Sequence, residues 1–459
     1  MTGVLLGADL GTSGLKLVVL DESGAVLAEG ESGYALDRPR PGWAEADPAA
    51  WRRALDDALA QVAPTLAGRR VRGLGLSGQM HGTVLADAAG APLGPAVLWP
   101  DSRATAEVDR WRALPGDARA ALANPLVPGM TGPVLAWLSA HRPGLVARAA
   151  TVLLPKDALR AALVPDADPR VTDRSDASAT LLWDVVADTW SGAATDAAGL
   201  APEQLPAVRP SAEVVGAAAL PGGDVPVVVG GADTPLALLA AGTTAGRQVN
   251  LGTGAQVLRP GAVPAPADDP PVHCYADVAD GWYAMAALQN GGLAWSWVSD
   301  VLGLGAGELF DLAAVTPAGA GGVRFRPFLT GERGGVAGPA DRGSWTGLHP
   351  GTTRADLARA AVEGVVFAVG TAAGLLGGAG DVVLTGGGGR APVVRQLLAD
   401  VLGAPVRHLP LRSASAVGAA LLAGLGTGPA VVPPRGTGPA AVPRDSADVR
   451  AALGRWREG

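Results

Sequence analysis

The chain has 459 residues, 48% of them hydrophobic, with 66 glycines and a single cysteine; that is room for roughly two to three domains with sizeable cores. A net charge of −7 and an isoelectric point near 5.3 exclude a basic footprint for nucleic acid or an anionic membrane surface, and the lone Cys274 excludes an internal disulfide and a cysteine-built zinc site. What remains is a compact α/β protein that works on small molecules; with no charged-then-apolar leader and no unbroken apolar run of spanning length, the cytoplasm is the expected compartment and no membrane is expected.

The chain opens with an apolar run, Val4 to Ala8, that ends at Asp9, turns over Gly11, Thr12, Ser13 and Gly14, and re-enters a second run from Leu15 to Leu20. This reads as a phosphate-binding hairpin. Glycines let backbone N–H groups converge on phosphate oxygens, Thr12 and Ser13 add hydroxyls, Lys16 adds charge, and Asp9 suits the water shell of a Mg²⁺ ion. A dinucleotide fingerprint or a P-loop would place a helix after the glycines, where Leu15 to Leu20 reads as a strand; an ordinary glycine-rich turn stays open on this segment alone.

Ala25 to Glu29 extends the antiparallel pattern, and Asp47-Pro48 caps a helix carrying Trp51, Leu55 and Leu59; Trp43 and Trp51 read as packing residues. The strand Val71 to Leu76 ends in Ser77-Gly78-Gln79-Met80-His81-Gly82, before Thr83 to Ala86 runs on as another strand. Met80 and His81 at that end can face a cavity, although a lone histidine is more often a hydrogen-bonded structural one. In Trp99-Pro100-Asp101-Ser102-Arg103, ahead of a helix over 104–114, Asp101 and Arg103 either bind sugar hydroxyls or pair with each other and cap that helix. Thr172 to Ser178 is as polar and as ambiguous, with a surface turn as its plain reading.

After the Pro/Gly/Ala-rich stretch 202–223, the opening pattern returns. Val225 to Val229 leads to Gly230-Gly231-Ala232-Asp233-Thr234-Pro235 and an Ala/Leu helix, and Gln248 to Leu258 repeats the strand, Leu-Gly-Thr turn and strand through Gly252, Thr253 and Gly254. Two such halves suggest an internal duplication with a nucleotide clamped between them, in a cleft that closes and excludes water. Further on lie an amphipathic helix with Trp295 and Trp297, a loop over Phe325 to Arg333, and a long helix over 353–376. The strand Val382 to Leu384 then runs into Gly386, Gly387, Gly388, Gly389 and Arg390, where the glycines permit close approach of a flat ring or a phosphate. Residues 426–443 read as a linker to a last helix near 446–456 that crosses back to the first domain.

Taken together, Gly7-Ala8-Asp9-Leu10-Gly11-Thr12-Ser13, Pro41-Gly42-Trp43, Ser77 to Gly82, Ser175-Asp176-Ala177-Ser178, Gly231-Ala232-Asp233, Leu251-Gly252-Thr253-Gly254, Leu329 to Arg333 and Thr385 to Gly388 resemble, in unbroken order, the FGGY family of carbohydrate kinases. The resemblance implies an α/β, two-domain, actin-like (ribonuclease-H-like) ATPase fold with a nucleotide and sugar cleft between the domains. Residues 1–223 would form the N-terminal, sugar-binding domain, 224–444 the C-terminal, ATP-binding domain, and 445–459 the terminal helix. It further implies transfer of the γ-phosphate of ATP, with Mg²⁺, to a ketopentose, D-xylulose first; the alternatives are another sugar, a polyol or a sugar acid as acceptor, and an actin-like ATPase or binding protein without a sugar acceptor. Asp233 matches the catalytic carboxylate, Asp9 the Mg·ATP-side aspartate, and Met80 and His81 the substrate pair. Gly252, Thr253 and Gly254 match the second phosphate hairpin, and Gly386 to Gly389 the adenosine loop. The partners implied are a small sugar and ATP, and a homodimer is compatible with the family.

The chain departs from the family pattern at Pro100, where Asn is usual, at Thr234, where Asn is frequent, at Val134, where Lys is usual, and at Gly334-Gly335, where Thr-Pro is usual. Pro100 and Thr234 are expected near the sugar, and the other two changes at the periphery.

Overall fold

The computed structural model describes residues 3–305, 307–433 and 438–458. Strands β1 (Gly3–Leu10) and β2 (Gly14–Asp21) pair antiparallel across the first glycine turn, and β3 (Val26–Gly33) continues the meander. Helix α1 (Pro48–Leu66) starts where Asp47 accepts from the Ala49 N–H, and it buries Trp51, Leu55 and Leu59. Strand β4 (Arg70–Gly78) lies parallel to β1. Helix α2 (Pro155–Leu163) comes next, then the hairpin β5 (Val214–Leu220) and β6 (Gly223–Val228), and finally the short β7 (Gly231–Ala232), which pairs with the end of β4 and runs into α3 (Asp233–Ala241). The first sheet has the order β5-β6-β4-β1-β2-β3.

The second sheet repeats the plan. Strands β8 (Arg247–Leu251) and β9 (Ala255–Pro260) pair antiparallel across Gly252 to Gly254, and β10 (His273–Ala276) and β11 (Trp282–Leu288) extend that side. After α4 (Gly292–Leu302) and α5 (Arg354–Leu376), strand β12 (Val382–Thr385) lies parallel to β8, and past α6 (Pro392–Leu402), β13 (Val406–His408) lies parallel to β12. The order is β10-β11-β9-β8-β12-β13. In each sheet the first strand of the glycine hairpin has its antiparallel partner on one side and a parallel strand on the other. This is a duplicated, two-domain actin-like fold. Helix α5 is long and apolar enough to cross a membrane, yet 83% of its apolar window is buried inside the protein.

Three expectations are corrected. A break between residues 223 and 224 would cut the β5–β6 hairpin, in which Leu220 pairs with Gly223; the first sheet keeps the chain through β7 and into α3. The last helix, α8 (Ala447–Glu458), does not return to the first sheet, because Val449, Ala452 and Trp456 are buried in the core of the second and Trp456 Nε1 donates to the Phe325 carbonyl at 2.8 Å. Phe325 itself is not in a loop, since Arg324–Arg326 pairs with Ser344–Thr346.

The return crossing is made by the preceding helix, α7 (Ala414–Thr427), packed on β1, β4 and α3. It can lie that close because the strands present glycines beneath it. A Cβ on Gly7 or Gly75 would sit 1.9 Å from the Ala416 or Ala419 carbonyl oxygen, and one on Gly418 would sit 1.9 Å from that of Leu236. Gly7→Ala should therefore lower stability by about 1–3 kcal/mol or more in urea unfolding, through overpacking against backbone. Gly144→Ala, helical and in open space, should leave stability unchanged or raise it by up to about 1 kcal/mol.

Candidate active site

Parallel register assembles the first part of the site. Asp9 on β1 lies beside Ser77 on β4, and Ser77 beside Gly231 on β7. Asp9 Oδ1 accepts from Ser77 Oγ at 2.7 Å. Gly230, at φ 90°, takes a left-handed turn over the Leu76 carbonyl and directs the chain into α3, whose first residue is Asp233. Asp233 Oδ1 accepts from the Thr234 N–H at 2.8 Å and from its hydroxyl at 3.3 Å, and its carbonyl oxygen accepts from Ser415 Oγ at 3.0 Å. Burial, and then the neighbouring Asp9 charge, push the Asp233 carboxyl up to about 7. Burial raises Asp9 as well, against the Ser77 hydrogen bond and the Lys16 charge.

A cavity of about 640 Å³ opens beside Asp233, lined from the first unit by Thr12, Met80, His81 and Trp99 and from the second by Gln256, His273, Met285 and Arg333. His81, at φ 69°, hydrogen-bonds the Ala179 carbonyl through Nδ1 at 2.5 Å, so that nitrogen carries the proton and Nε2 is left as an acceptor. Burial, reinforced by the Arg333 charge, pushes His81 down to about 4; burial likewise pushes His273, bonded to the Tyr275 hydroxyl at 2.6 Å, down to about 3. Both rings are neutral near pH 7. Trp99 Nε1 donates to Thr12 Oγ1 at 2.9 Å, joining the cavity wall to the first glycine turn.

Arg333, the last residue of the Leu329 to Arg333 motif, is a further cavity residue with no role assigned to it from the sequence. Glu332 sets its position, accepting from the Gln289 N–H at 2.6 Å, the Arg333 N–H at 3.0 Å and Asn290 Nδ2 at 2.9 Å. The adjacent Glu-Arg pair in a glycine-bounded loop was the available signal. Pro100 and Thr234 line the cavity as expected, and so do Gly334 and Gly335, which are therefore not peripheral; Val134 is buried in a helix away from it.

Asp101 and Arg103 are not free for a sugar. Asp101 Oδ1 accepts from Arg103 N and Nε at 2.8 and 2.9 Å, and its Oδ2 from Arg103 Nη2 and the Ala44 N–H at 2.7 and 2.6 Å. The same guanidinium reaches Glu45 Oε1 at 2.7 Å and stacks 3.6 Å from the Trp43 ring centre. Asp101 borders the cavity, but its oxygens are already engaged; the pair braces the wall.

A second cavity, of about 520 Å³, holds the first glycine turn: Asp9, Gly11, Thr12, Ser13 and Gly14, with Lys16 and Ser32. The Gly11 N–H closes the turn onto the Gly14 carbonyl at 3.0 Å, and the Gly11 carbonyl accepts from Gln79 Nε2 at 3.0 Å and from the Tyr34 hydroxyl. On the second sheet, the carbonyls of Gly252 and Thr253 accept from the N–H groups of Gly292 and Leu293 at 2.8 and 3.0 Å, seating α4 on the hairpin. The Gly386 to Gly389 run passes tightly beside it: a Cβ on Gly386 would stand 2.6 Å from the Leu251 carbonyl oxygen, and one on Gly388 would stand 2.7 Å from the Leu251 side chain. Arg390 closes the run, and its carbonyl accepts from Arg395 Nη1 at 3.0 Å. Gly252 to Gly254 and Gly386 to Arg390 are thus brought together, while Gln256, on β9 just past the turn, reaches the cavity that holds Asp233.

Two carboxyls at the mouth of a two-sheet cleft, glycine turns on both sheets and a polar cavity fit a phosphotransferase that joins a nucleotide to a hydroxylated acceptor. The N-terminal domain profile of the FGGY family of carbohydrate kinases matches residues 4–240 and its C-terminal domain profile residues 248–427. The chain is 33% identical to the xylulose kinase of Escherichia coli (strain K12), over 91% of this chain and 88% of that one, and 32% identical to the xylulose kinase of Klebsiella pneumoniae, with the same coverage. The crystal structure of a xyloylose kinase from Brucella ovis superposes with a TM-score of 0.90 at 30% identity, covering 99% of this chain and 98% of that one. The chain belongs to the FGGY family of carbohydrate kinases, and it is an ATP-dependent sugar kinase.

The His81 geometry is open to direct measurement. In ¹⁵N-histidine NMR of the folded protein, the His81 ring should keep the neutral Nδ1–H form from pH 8 down to about 5, where an unperturbed histidine has taken up its proton.

Proposed function

We propose that the protein phosphorylates D-xylulose at its terminal hydroxyl, with Asp233 as the general base. The observation that carries this reading is a half-buried Asp233, with its carboxyl near 7, in one cavity with Met80 and His81 and next to Asp9. Asp233 takes the hydroxyl proton as the sugar oxygen bonds to the γ-phosphorus of ATP and the bond to the ADP oxygen breaks. His81 Nε2 accepts a hydrogen bond from a sugar hydroxyl, Met80 packs against the carbon chain, and Thr234 holds the carboxylate in place. The glycine turns with Thr12, Ser13 and Thr253 cradle phosphate oxygens, Lys16 adds positive charge, and the Gly386 to Arg390 turn receives the adenosine.

Mg²⁺ fits the donor set present. Asp9 and Asp233 lie close enough to raise one carboxyl's proton affinity, and Mg²⁺ characteristically uses one or two carboxylates, retained waters and substrate phosphates. Bound there, largely through water, it would neutralise charge on the phosphates. Among the described residues no group of three or more His, Cys, Asp or Glu converges as a cage. On this reading the protein works in the cytoplasm, where ATP is supplied, and it is compatible with a homodimer.

Arg333 in the cavity wall favours a second reading of the acceptor, a sugar acid whose carboxylate it would pair, and the departures at Pro100 and Thr234 point to the same question. A coupled ADP-release assay across ketoses, polyols and sugar acids decides it. Turnover should be greatest on D-xylulose; strong turnover on another acceptor with none on D-xylulose overturns the assignment.

Asp233→Asn should lower kcat by about 10²- to 10⁴-fold while calorimetric ATP binding persists. In the wild type, kcat/KM should fall on the acid side with an apparent pKa of about 7, because the protonated carboxyl cannot accept the hydroxyl proton. Asp9→Asn should move that limb to lower pH, since it removes a charge that holds Asp233 up. Chelation with EDTA should abolish turnover, and added Mg²⁺ should restore it.

A further inference from the structure

A cluster of fully buried charges lies behind the strand that leads to Asp233. Lys156 Nζ stands 2.7 Å from Asp157 Oδ1, 3.1 Å from Asp173 Oδ1 and 3.0 Å from Asp176 Oδ2, and Arg160 Nη1 stands 2.6 Å from Asp157 Oδ1. Arg160 also donates to the carbonyls of Val229 and Val171. Burial raises the Asp176 carboxyl well above the usual range. Removing such groups from water is costly, and well-packed apolar residues often do as well or better, so stability alone gives no account of the cluster.

Besides the Arg160 bond to Val229, the cluster connects through a side chain to the residue next to Asp233. Asp173 Oδ2 accepts from Ser175 Oγ at 2.5 Å and from Ser211 Oγ at 2.9 Å. Ser175 Oγ in turn accepts from the N–H of Ala232 at 2.9 Å, the residue immediately before Asp233. Its proton is committed to Asp173, so its lone pairs are directed to that N–H. Ser211 reaches the same carboxylate oxygen, but its link to the turn before Asp233 is its main-chain carbonyl, which accepts from the Gly230 N–H at 3.0 Å and which Ser211→Ala keeps; among the described residues its hydroxyl makes no hydrogen bond there. Lys156 also packs its Cβ where a side chain on Gly78 would stand, at 2.9 Å, against the β4 residue that pairs with Ala232.

We propose that Ser175, oriented by Asp173 and Lys156, is a positioning residue for phosphoryl transfer: it fixes the Gly231-Ala232-Asp233 turn and so aims the Asp233 carboxyl at the acceptor hydroxyl. The proposal rests on the reading of Asp233 as the base. Ser415 holds the carbonyl side of Asp233, and Ser175 holds the peptide before it. Small displacements of a reacting group are expensive in rate, on the order of 10²-fold for about 1 Å.

Ser175→Ala and Ser211→Ala form a matched pair, each removing one buried hydroxyl from Asp173 Oδ2. Both should lower the midpoint of thermal unfolding to a similar degree. Ser175→Ala should lower kcat by about 10- to 100-fold with little change in KM for ATP, whereas Ser211→Ala should hold kcat within about twofold. Equal kcat losses in the two variants, or no loss in Ser175→Ala, overturn the proposal. If Ser175→Ala does not fold, Ser175→Thr and Ser175→Val carry the same comparison at equal volume, with higher kcat expected for the threonine and equal values refuting the role. Asp233→Asn assayed alongside separates the two ideas. An inactive Asp233→Asn with matched serine variants refutes the positioning role alone, and an active Asp233→Asn refutes the base.

Discussion

The cleft depends on three parallel strand ends stopping in register. Because β1, β4 and β7 align Asp9, Ser77 and Gly231, and the chain turns at once into α3, a second carboxyl arrives next to the first in a space poor in water. Neither group can then ionise as readily as it would in solvent. The result is a carboxyl near 7, rather than near the usual carboxylate range. A base of that strength suits the removal of an alcohol proton near neutral pH, since Brønsted behaviour rewards a proton affinity close to the working pH. The same pairing makes the pocket attractive to a divalent cation, because a positive charge there relieves the repulsion between the two groups.

Holding the strand ends still is a task for the whole first unit. Helix α7 covers the face of the sheet opposite α1, and glycines at 7, 75 and 418 bring it into backbone contact. The helix also carries Ser415, whose hydroxyl holds the Asp233 carbonyl. The chain must therefore finish the second sheet before the first is sealed. Packing and the candidate site share one element, and a change that lifts α7 off β1 would also release the Asp233 carbonyl.

The features legible in the sequence were those written in local chemistry. The two hairpins announce themselves because a Gly-Thr turn between apolar runs admits few backbone conformations, and Asp47-Pro48 marks the start of α1 in the same way. Residues that act through distant partners were not legible. Thr172 to Ser178 has the composition of a surface turn, yet Thr172, Asp173, Ser175 and Asp176 are buried, and what makes this tolerable is the ammonium of Lys156, which belongs to another helix. Asp101 and Arg103 present the reverse case. Their types suit sugar hydroxyls, but a spacing of two residues let them satisfy each other, and Trp43 and Glu45 completed the enclosure. Helix α8 misled for a related reason: an amphipathic face says that it will be buried, not against which sheet. Arg333 lay in plain view, and only the fold shows that Glu332 directs it into the cavity.

The character of the acceptor follows from what the cavity wall can offer. His81 and His273 are kept neutral by burial, and the Arg333 charge lowers both, so the wall presents lone pairs and N–H groups in place of a cluster of imidazolium charges. A neutral polyol chain is recognised well by such groups, because each hydroxyl both donates and accepts, and a site built to hydrogen-bond hydroxyls discriminates strongly against analogues that leave its polar atoms unpaired. Arg333 adds a smaller push to that of burial on the two rings. Removing it would take a positive charge and a fork of N–H donors out of the cavity wall while burial still kept both rings neutral, so its bearing on the acceptor is that of a charge among neutral partners.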